Sequence, residues 1–306
     1  MTTRQQQHSV LNSKSEMRTF LTLVACYISW AVSIGPLYAL SPVLAVVLLI
    51  PILTLHASLS HEILHGHPFR SRILNAALVF LAVGIFVPYE RFRTLHIAHH
   101  TDERLTDPYD DPESNFQDPA LWAKMPRWRQ QILNANNTIL GRMILGPVIS
   151  MMRFVISDIK GILGGKKDIL IAWALHGIGV WGVVWILSHW GQIPFWAYIC
   201  AAYGALSVLK IRTYLEHRAE EDYAHRTVII EGWCPIAFLF LNNSLHAVHH
   251  THPTMAWYDL RREYLAHKKA YLTKNGAYRF KNYAEVLRRY FLTQKDQVPH
   301  PHYKVK

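Results

Sequence analysis

The chain alternates between long uncharged runs and long mixed ones. No charged side chain occurs in residues 20–40, 41–60, 169–190 or 193–209. Each run holds about 17 to 22 residues, close to the roughly 20 that cross ~30 Å of hydrocarbon at ~1.5 Å per residue. None carries the apolar stripe with a charged opposite face that marks a helix lying on a soluble core. The pattern predicts four transmembrane helices over residues 20–40, 42–60, 169–190 and 193–210, paired in two hairpins. A further apolar stretch, residues 73–89, joins two segments that must lie on the same side, which predicts an interfacial or re-entrant helix. The run at 234–241 is too short to cross. The last forty residues mix charge with aromatics, as in Arg261-Arg262-Glu263-Tyr264, and predict amphipathic helices outside the bilayer. The expected fold class is an all-α membrane protein, one domain over residues 1–306, with four spans and a helical cap on one side.

Composition agrees, with 51% hydrophobic residues, ten Trp and fifteen Tyr. The formal charge of +11 admits nucleic acid, anionic lipid or acidic substrates as partners, and its placement decides among them. All 32 Lys and Arg lie before residue 20, between 61 and 167, or from 210 onward, whereas the connections at 35–42 and 190–194 carry none. The positive-inside rule therefore puts both termini and the long middle segment in the cytoplasm. No nucleic-acid-reading motif accompanies the charge, so that partner is excluded. Three scattered cysteines, Cys26, Cys200 and Cys234, predict no disulfide framework. Residues 1–17 lack the apolar core of a cleavable signal.

The 19 histidines change the picture from structure to chemistry. His61 and His65 sit at i and i+4, on one face of a helix continuing out of the second span. His96-Ile97-Ala98-His99-His100 and His246-Ala247-Val248-His249-His250 repeat one His-x-x-His-His frame. The spacing predicts that each frame gathers its three nitrogens at one spot. Eight imidazoles exceed what one zinc uses and suit two metals, each with room for an exogenous ligand. Imidazole serves zinc, copper, iron and nickel alike, so ligand type does not name the metal. His217, two turns beyond the fourth span, is a ninth candidate that spacing leaves open. His67 and His252 adjoin ligand groups without sharing their faces. His56 and His176, inside spans, are expected as hydrogen-bonded packing residues. Ligating imidazoles need fixed acceptors for their other N–H, and Glu62, Glu216, Asn242 and Asn243 are placed for this, as are Asp102 and Asp107 in the acidic loop after the second frame.

The order His-x-x-x-His, His-x-x-His-His, His-x-x-His-His, interleaved with spans two and two, resembles the membrane fatty-acid desaturase superfamily, which includes related hydroxylases, ketolases and decarboxylases. The resemblance covers roughly residues 41–253. It implies two irons, with His61, His65, His96, His99, His100, His246, His249 and His250 as ligands, and it places His217 at the position of a further ligand. It also implies dioxygen as co-substrate, and a histidine-rich di-iron site within the cytosolic cap. Acyl-CoA desaturases have an Asn four residues before that ninth ligand, where this chain has Thr213. Many also have four residues between the first two histidines, where this chain has three; the shorter gap is common among ketolases, hydroxylases and other desaturases.

The expectation is an oxygen-dependent acyl or lipid desaturase, with a hydroxylase, ketolase or decarboxylase as the alternative and no catalytic residue beyond the metal ligands. Trp173, Trp181, Trp185 and Trp196 are available to line an acyl path but read first as packing or lipid-facing residues. No Cys-rich iron–sulfur pattern and no Gly-x-Gly-x-x-Gly fingerprint occur. A separate electron donor (ferredoxin, rubredoxin-like or cytochrome) is therefore implied. A metal transporter would need ligands near the middle of the spans, where only His56 and His176 lie.

Overall fold

The computed structural model of the chain describes residues 13–100 and 104–303. The elements, in chain order, are α1 (Ser13–Ile34), α2 (Pro36–Leu40), α3 (Pro42–Leu64), α4 (Arg72–Leu78), α5 (Tyr89–His99), α6 (Pro119–Lys124), α7 (Arg127–Asn136), α8 (Ile139–Leu163), α9 (Lys167–His189) and α10 (Phe195–Leu215). Then come β1 (Ile229–Ile230), α11 (Pro235–Leu239), α12 (His246–Thr251), α13 (Trp257–Ala266), α14 (Lys268–Lys274), β2 (Arg279–Phe280) and α15 (Tyr283–Tyr290). The two short strands pair in parallel, Ile229 with Arg279 and Ile230 with Phe280. They are a small departure from the all-α expectation, and they tie the polar C-terminal third to the end of α10.

Four helical stretches among the described residues are long and apolar enough to cross a membrane: Glu16–Leu40, Pro42–Leu64, Ile139–Leu163 and Lys167–His189. Three match expected spans. The stretch at Ile139–Leu163 was not foreseen, and α10, expected as the fourth span, falls outside the set because Lys210, Arg212 and several polar aromatics dilute it. On α8, Ile144, Val148, Met152, Ile156, Ile159 and Leu163 are exposed, while Arg142 and Asp158 are buried. That spacing of three and four makes one apolar face over a polar one.

α10 packs most closely on α3 and α8. Small residues make this approach feasible: Ala201 and Ala205 are buried, and a methyl group at Gly204 would sit 2.9 Å from Ile50 Cδ1. At the far end from the polar cap, the Ile34 carbonyl accepts from both Gln192 N (2.7 Å) and Ile193 N (3.2 Å). The end of α1 is thereby fastened to the turn between α9 and α10.

Only the first part of residues 73–89 is helical. α4 ends at Leu78, and the chain then threads into the bundle without regular structure, Val83 packing among Trp30, Leu49, Leu53, Val183 and Tyr198. The helix stops at its C-cap Val79, and Pro88 is already the N-cap of α5. Irregular backbone survives away from water only where its polar groups are met by protein. Here Tyr27 Oη donates to Leu78 O at 2.8 Å, Tyr198 Oη to Val83 O at 2.6 Å, and His176 Nε2 to Ile85 O at 3.1 Å. His56 Nε2 lies 3.1 Å from Tyr27 Oη. Both span histidines therefore serve this segment, as packing residues.

Candidate metal centre

His61 occupies the last turn of α3, and His65 caps it. His96 and His99 lie in the last turn of α5, with His100 at its C-cap. α10 ends at Leu215, its C-cap Glu216 keeps helical dihedrals, His217 follows in an antiparallel bridge with Thr227, and His246 opens α12. Four chain segments thus end at one place and deliver nine imidazoles there.

These sort into two groups. In one, the ligand atoms of His61, His65, His96 and His249 lie within 4.8 Å of one another; in the other, so do those of His99, His217, His246 and His250. The Nε2 of His100 joins the first, 3.0 Å from His96 Nε2 and 3.2 Å from His249 Nε2. Each His-x-x-His-His frame is therefore divided, contrary to the expectation that it converges on one spot. On α5, His96 and His100 turn to the first group and His99 to the second; on α12, His246 and His250 turn to the second and His249 to the first. Helical geometry explains this. Residues at i+3 and i+4 lie about 100° apart around the axis, on either side of residue i, so a frame of three reaches two neighbouring points.

Nitrogens from different residues approach closely: His61 and His96 Nε2 at 2.9 Å, His65 and His96 at 3.1 Å, His99 and His217 at 2.8 Å, His217 and His246 at 3.1 Å. Around an ion with metal–nitrogen bonds of about 2.1 Å, ligands at right angles stand about 3 Å apart. Burial, and then repulsion from neighbouring rings, hold His217, His246 and His249 well below the ordinary imidazole pKa. At neutral pH they are uncharged and offer lone pairs. The donor set and spacing fit two metal ions.

Acceptors hold the outer nitrogens. His96 Nδ1 meets Glu113 Oε1 at 2.9 Å, and His99 Nδ1 meets Asp111 Oδ1 at 2.7 Å. His246 Nδ1 meets Asn243 Oδ1 at 3.1 Å, with Glu216 Oε1 3.7 Å away. Glu216 in turn is held by Arg212 Nε and Asn243 Nδ2, each at 3.0 Å. Burial opposes a raised pKa at His99, yet Glu113 and hydrogen-bonded Asp111 lift it to about 9. The same pair raises its basicity toward a metal. Burial would raise Glu113, but His99 and His96 hold it well below the usual carboxylate range.

Of the expected acceptors, Asn243 contacts a cage imidazole and Glu216 backs it. Glu62 instead accepts from Trp257 N at 2.9 Å, Asn242 Nδ2 donates to Trp257 O at 3.0 Å, and Asp107 accepts from the amides of Tyr109 and Asp110. Asp107 is occupied because it starts a turn, and Glu62 because α3 directs it away from the rings. Asp102 lies outside the described residues. Asp111 and Glu113 were missed: they belong to the acidic run after the second frame, but a loop gives no periodicity from which to pick them. His67 bridges Glu16 (3.2 Å) and Thr254 O (3.1 Å), and His252 lies 3.9 Å from Glu263; neither joins the cage.

No curated protein matches this chain. The family model described as fatty acid desaturase matches residues 36–282, a stretch that holds the whole cage, so the chain belongs to the fatty acid desaturase family.

Proposed function

We propose that the chain is an integral-membrane oxidoreductase that holds two irons in the nine-histidine cage and desaturates a lipid acyl chain with dioxygen. The observation that carries this reading is the pair of four-histidine groups, completed by His100, at the common end of α3, α5, α10 and α12. The irons would supply dioxygen activation; the protein's part is placement and exclusion of water. His61, His65, His96, His100 and His249 would hold one ion, and His99, His217, His246 and His250 the other. Glu113, Asp111 and Asn243 orient the rings that they accept from. The apolar surroundings of the spans admit a hydrocarbon chain, and the cationic cap suits its polar head.

Two hairpins remain the topology that best accommodates α8. Its first residue, Ile139, packs with Ile211, Tyr214 and Leu215 at the cage end of α10. Near its other end, Asp158 bonds Arg91 of α5 and Trp173 near the start of α9. Both ends thus lie on the cage side, which supports a helix lying along the inner leaflet with its apolar stripe in lipid. α1, α3, α9 and α10 are then the spans, and the termini and cage face the cytoplasm, in keeping with the Lys and Arg distribution. Electrons would come from a separate donor protein docking on that face.

Metal analysis of purified protein should find two irons per chain, and zinc alone would count against the reading. Expression in a lipid-producing host, followed by mass profiling, should give acyl chains lighter by two hydrogens; chains heavier by one oxygen would assign hydroxylation instead. Full activity in His99→Ala and His249→Ala would refute the cage.

A further inference from the structure

We propose that a hydrated cavity beside His217 admits protons to the metal centre and lets product water out, and that water held there by Thr213 and Asn136 accepts the Nδ1–H of His217. This rests on reading the centre as one that uses dioxygen. The starting point is an unmet donor in the second group of four, although His100 Nδ1 in the first is also without a partner among the described residues. His96, His99 and His246 each have a protein acceptor at Nδ1. His217 turns its Nε2 to His99 and His246, as a ligand nitrogen would, but its Nδ1 is buried with no hydrogen-bond partner among the described residues. A ligating imidazole carries its proton on the other nitrogen and needs an acceptor there.

The ring borders open space. His217 lines a cavity of about 60 Å³ together with Thr213 and Asn136. A water needs ~10–15 Å³ on this measure, so about four fit. Thr213 Oγ1 and Asn136 Oδ1 are likewise buried and unpartnered. Thr213 lies in the last turn of α10 and His217 two residues past its end, and both line this cavity. Three orphaned polar atoms around one space that fits water are the condition under which buried water is retained. A bound anion suits the site less well, because Asp111, Glu113, Glu216 and Asp296 are among its walls. At the outer rim the walls include exposed Asn115 and Gln297, so the space leads from the polar surface to the back of a ligand.

The chemistry requires such a route. Desaturation converts CH2–CH2, O2, two electrons and two protons into CH=CH and two waters. Hydroxylation converts C–H, O2, two electrons and two protons into C–OH and one water. The electrons come from a one-electron donor protein in both cases. Either outcome draws two protons per turnover and releases water, and the lipid-facing side can do neither. Waters in this cavity bring solvent to within one ring of the centre, and the proposed route passes beside that ring without any side chain changing its charge.

The test compares iron-loaded wild type with Thr213→Val, Asn136→Leu and, as control, Thr213→Ser. A high-resolution density map should show ordered solvent within hydrogen-bond reach of His217 Nδ1 in wild type and Thr213→Ser, and lose it in Thr213→Val. This arm is independent of turnover, so it decides the hydration even if the proposed activity fails. In turnover, Thr213→Val and Asn136→Leu should keep two irons and the KM for acyl substrate. They should also form several-fold less product per O2 consumed, release the balance as hydrogen peroxide, and change the solvent deuterium isotope effect. A dry cavity in the wild-type map would overturn the proposal, as would full coupling with an unaltered isotope effect in both variants.

Discussion

The bond between α5, α8 and α9 gives the sharpest energetic expectation. Asp158 accepts from Arg91 Nε at 2.9 Å and a terminal guanidinium nitrogen at 2.7 Å, and from Trp173 Nε1 at 2.8 Å. The side chains of Arg91 and Asp158 are 9% and 2% exposed, so solvent screens the pair little. Asp158→Ala leaves a buried guanidinium without its counter-charge, at a cost of about 3–5 kcal/mol. It also leaves an indole N–H unsatisfied, at about 1–3 kcal/mol. A loss of at least about 4 kcal/mol should lower the unfolding midpoint in detergent by roughly 10 °C. Much of that figure is the penalty on the orphaned Arg91, so Arg91→Met with Asp158→Leu should lose less than Asp158→Ala alone. A thermal double-mutant cycle with iron content held equal measures this. Strictly additive effects, or a loss under about 1 kcal/mol for Asp158→Ala, would refute the reasoning.

Glu113→Gln should keep the fold and weaken iron retention about 10–100-fold, measured by chelator competition. A methyl group at Gly179 would lie 2.3 Å from Phe80 O, while one at Gly177 meets nothing within 4 Å. Gly179→Ala should therefore cost about 1–3 kcal/mol in thermal unfolding, and Gly177→Ala should cost nothing. Burial, with Arg226 and His302 nearby, lowers His300 to about 4 from an ordinary 6.5. Because the folded value is the depressed one, the unfolded state takes the proton first, so the stabilisation is full above 6.5 and is lost as pH falls toward 4. Protonation at Nδ1 would break the bond accepted from His302 N, and the whole effect is about 3 kcal/mol. Limited proteolysis of residues 291–303 should accelerate between pH 6.5 and 4 in wild type, and His300→Gln should abolish that dependence.

What the sequence disclosed depended on whether a signal was local. The imidazoles could be named because each frame is contiguous and each lies just beyond an apolar run. Their division between two points could not, because it depends on how α5 and α12 face each other. Asp111 and Glu113 escaped because a turn, not a period, brings them to His99 and His96. α8 escaped because Arg142, Arg153, Asp158 and Lys160, off its apolar stripe, break the uncharged run along the sequence. Residues 73–89 read as helix from hydrophobicity alone; that Tyr27, His176 and Tyr198, far away in sequence, could meet the carbonyls of an irregular segment was invisible.

The fastening of Ile34 to the turn at Gln192 and Ile193 bears on how a lipid gains access. In the proposed topology this contact lies at the outer face and holds the two hairpins together there. On that proposal, room for an incoming hydrocarbon would open sideways, near the inner leaflet, between the cap and an in-plane α8. Turnover should then respond to bilayer lateral pressure at that depth rather than to thickness.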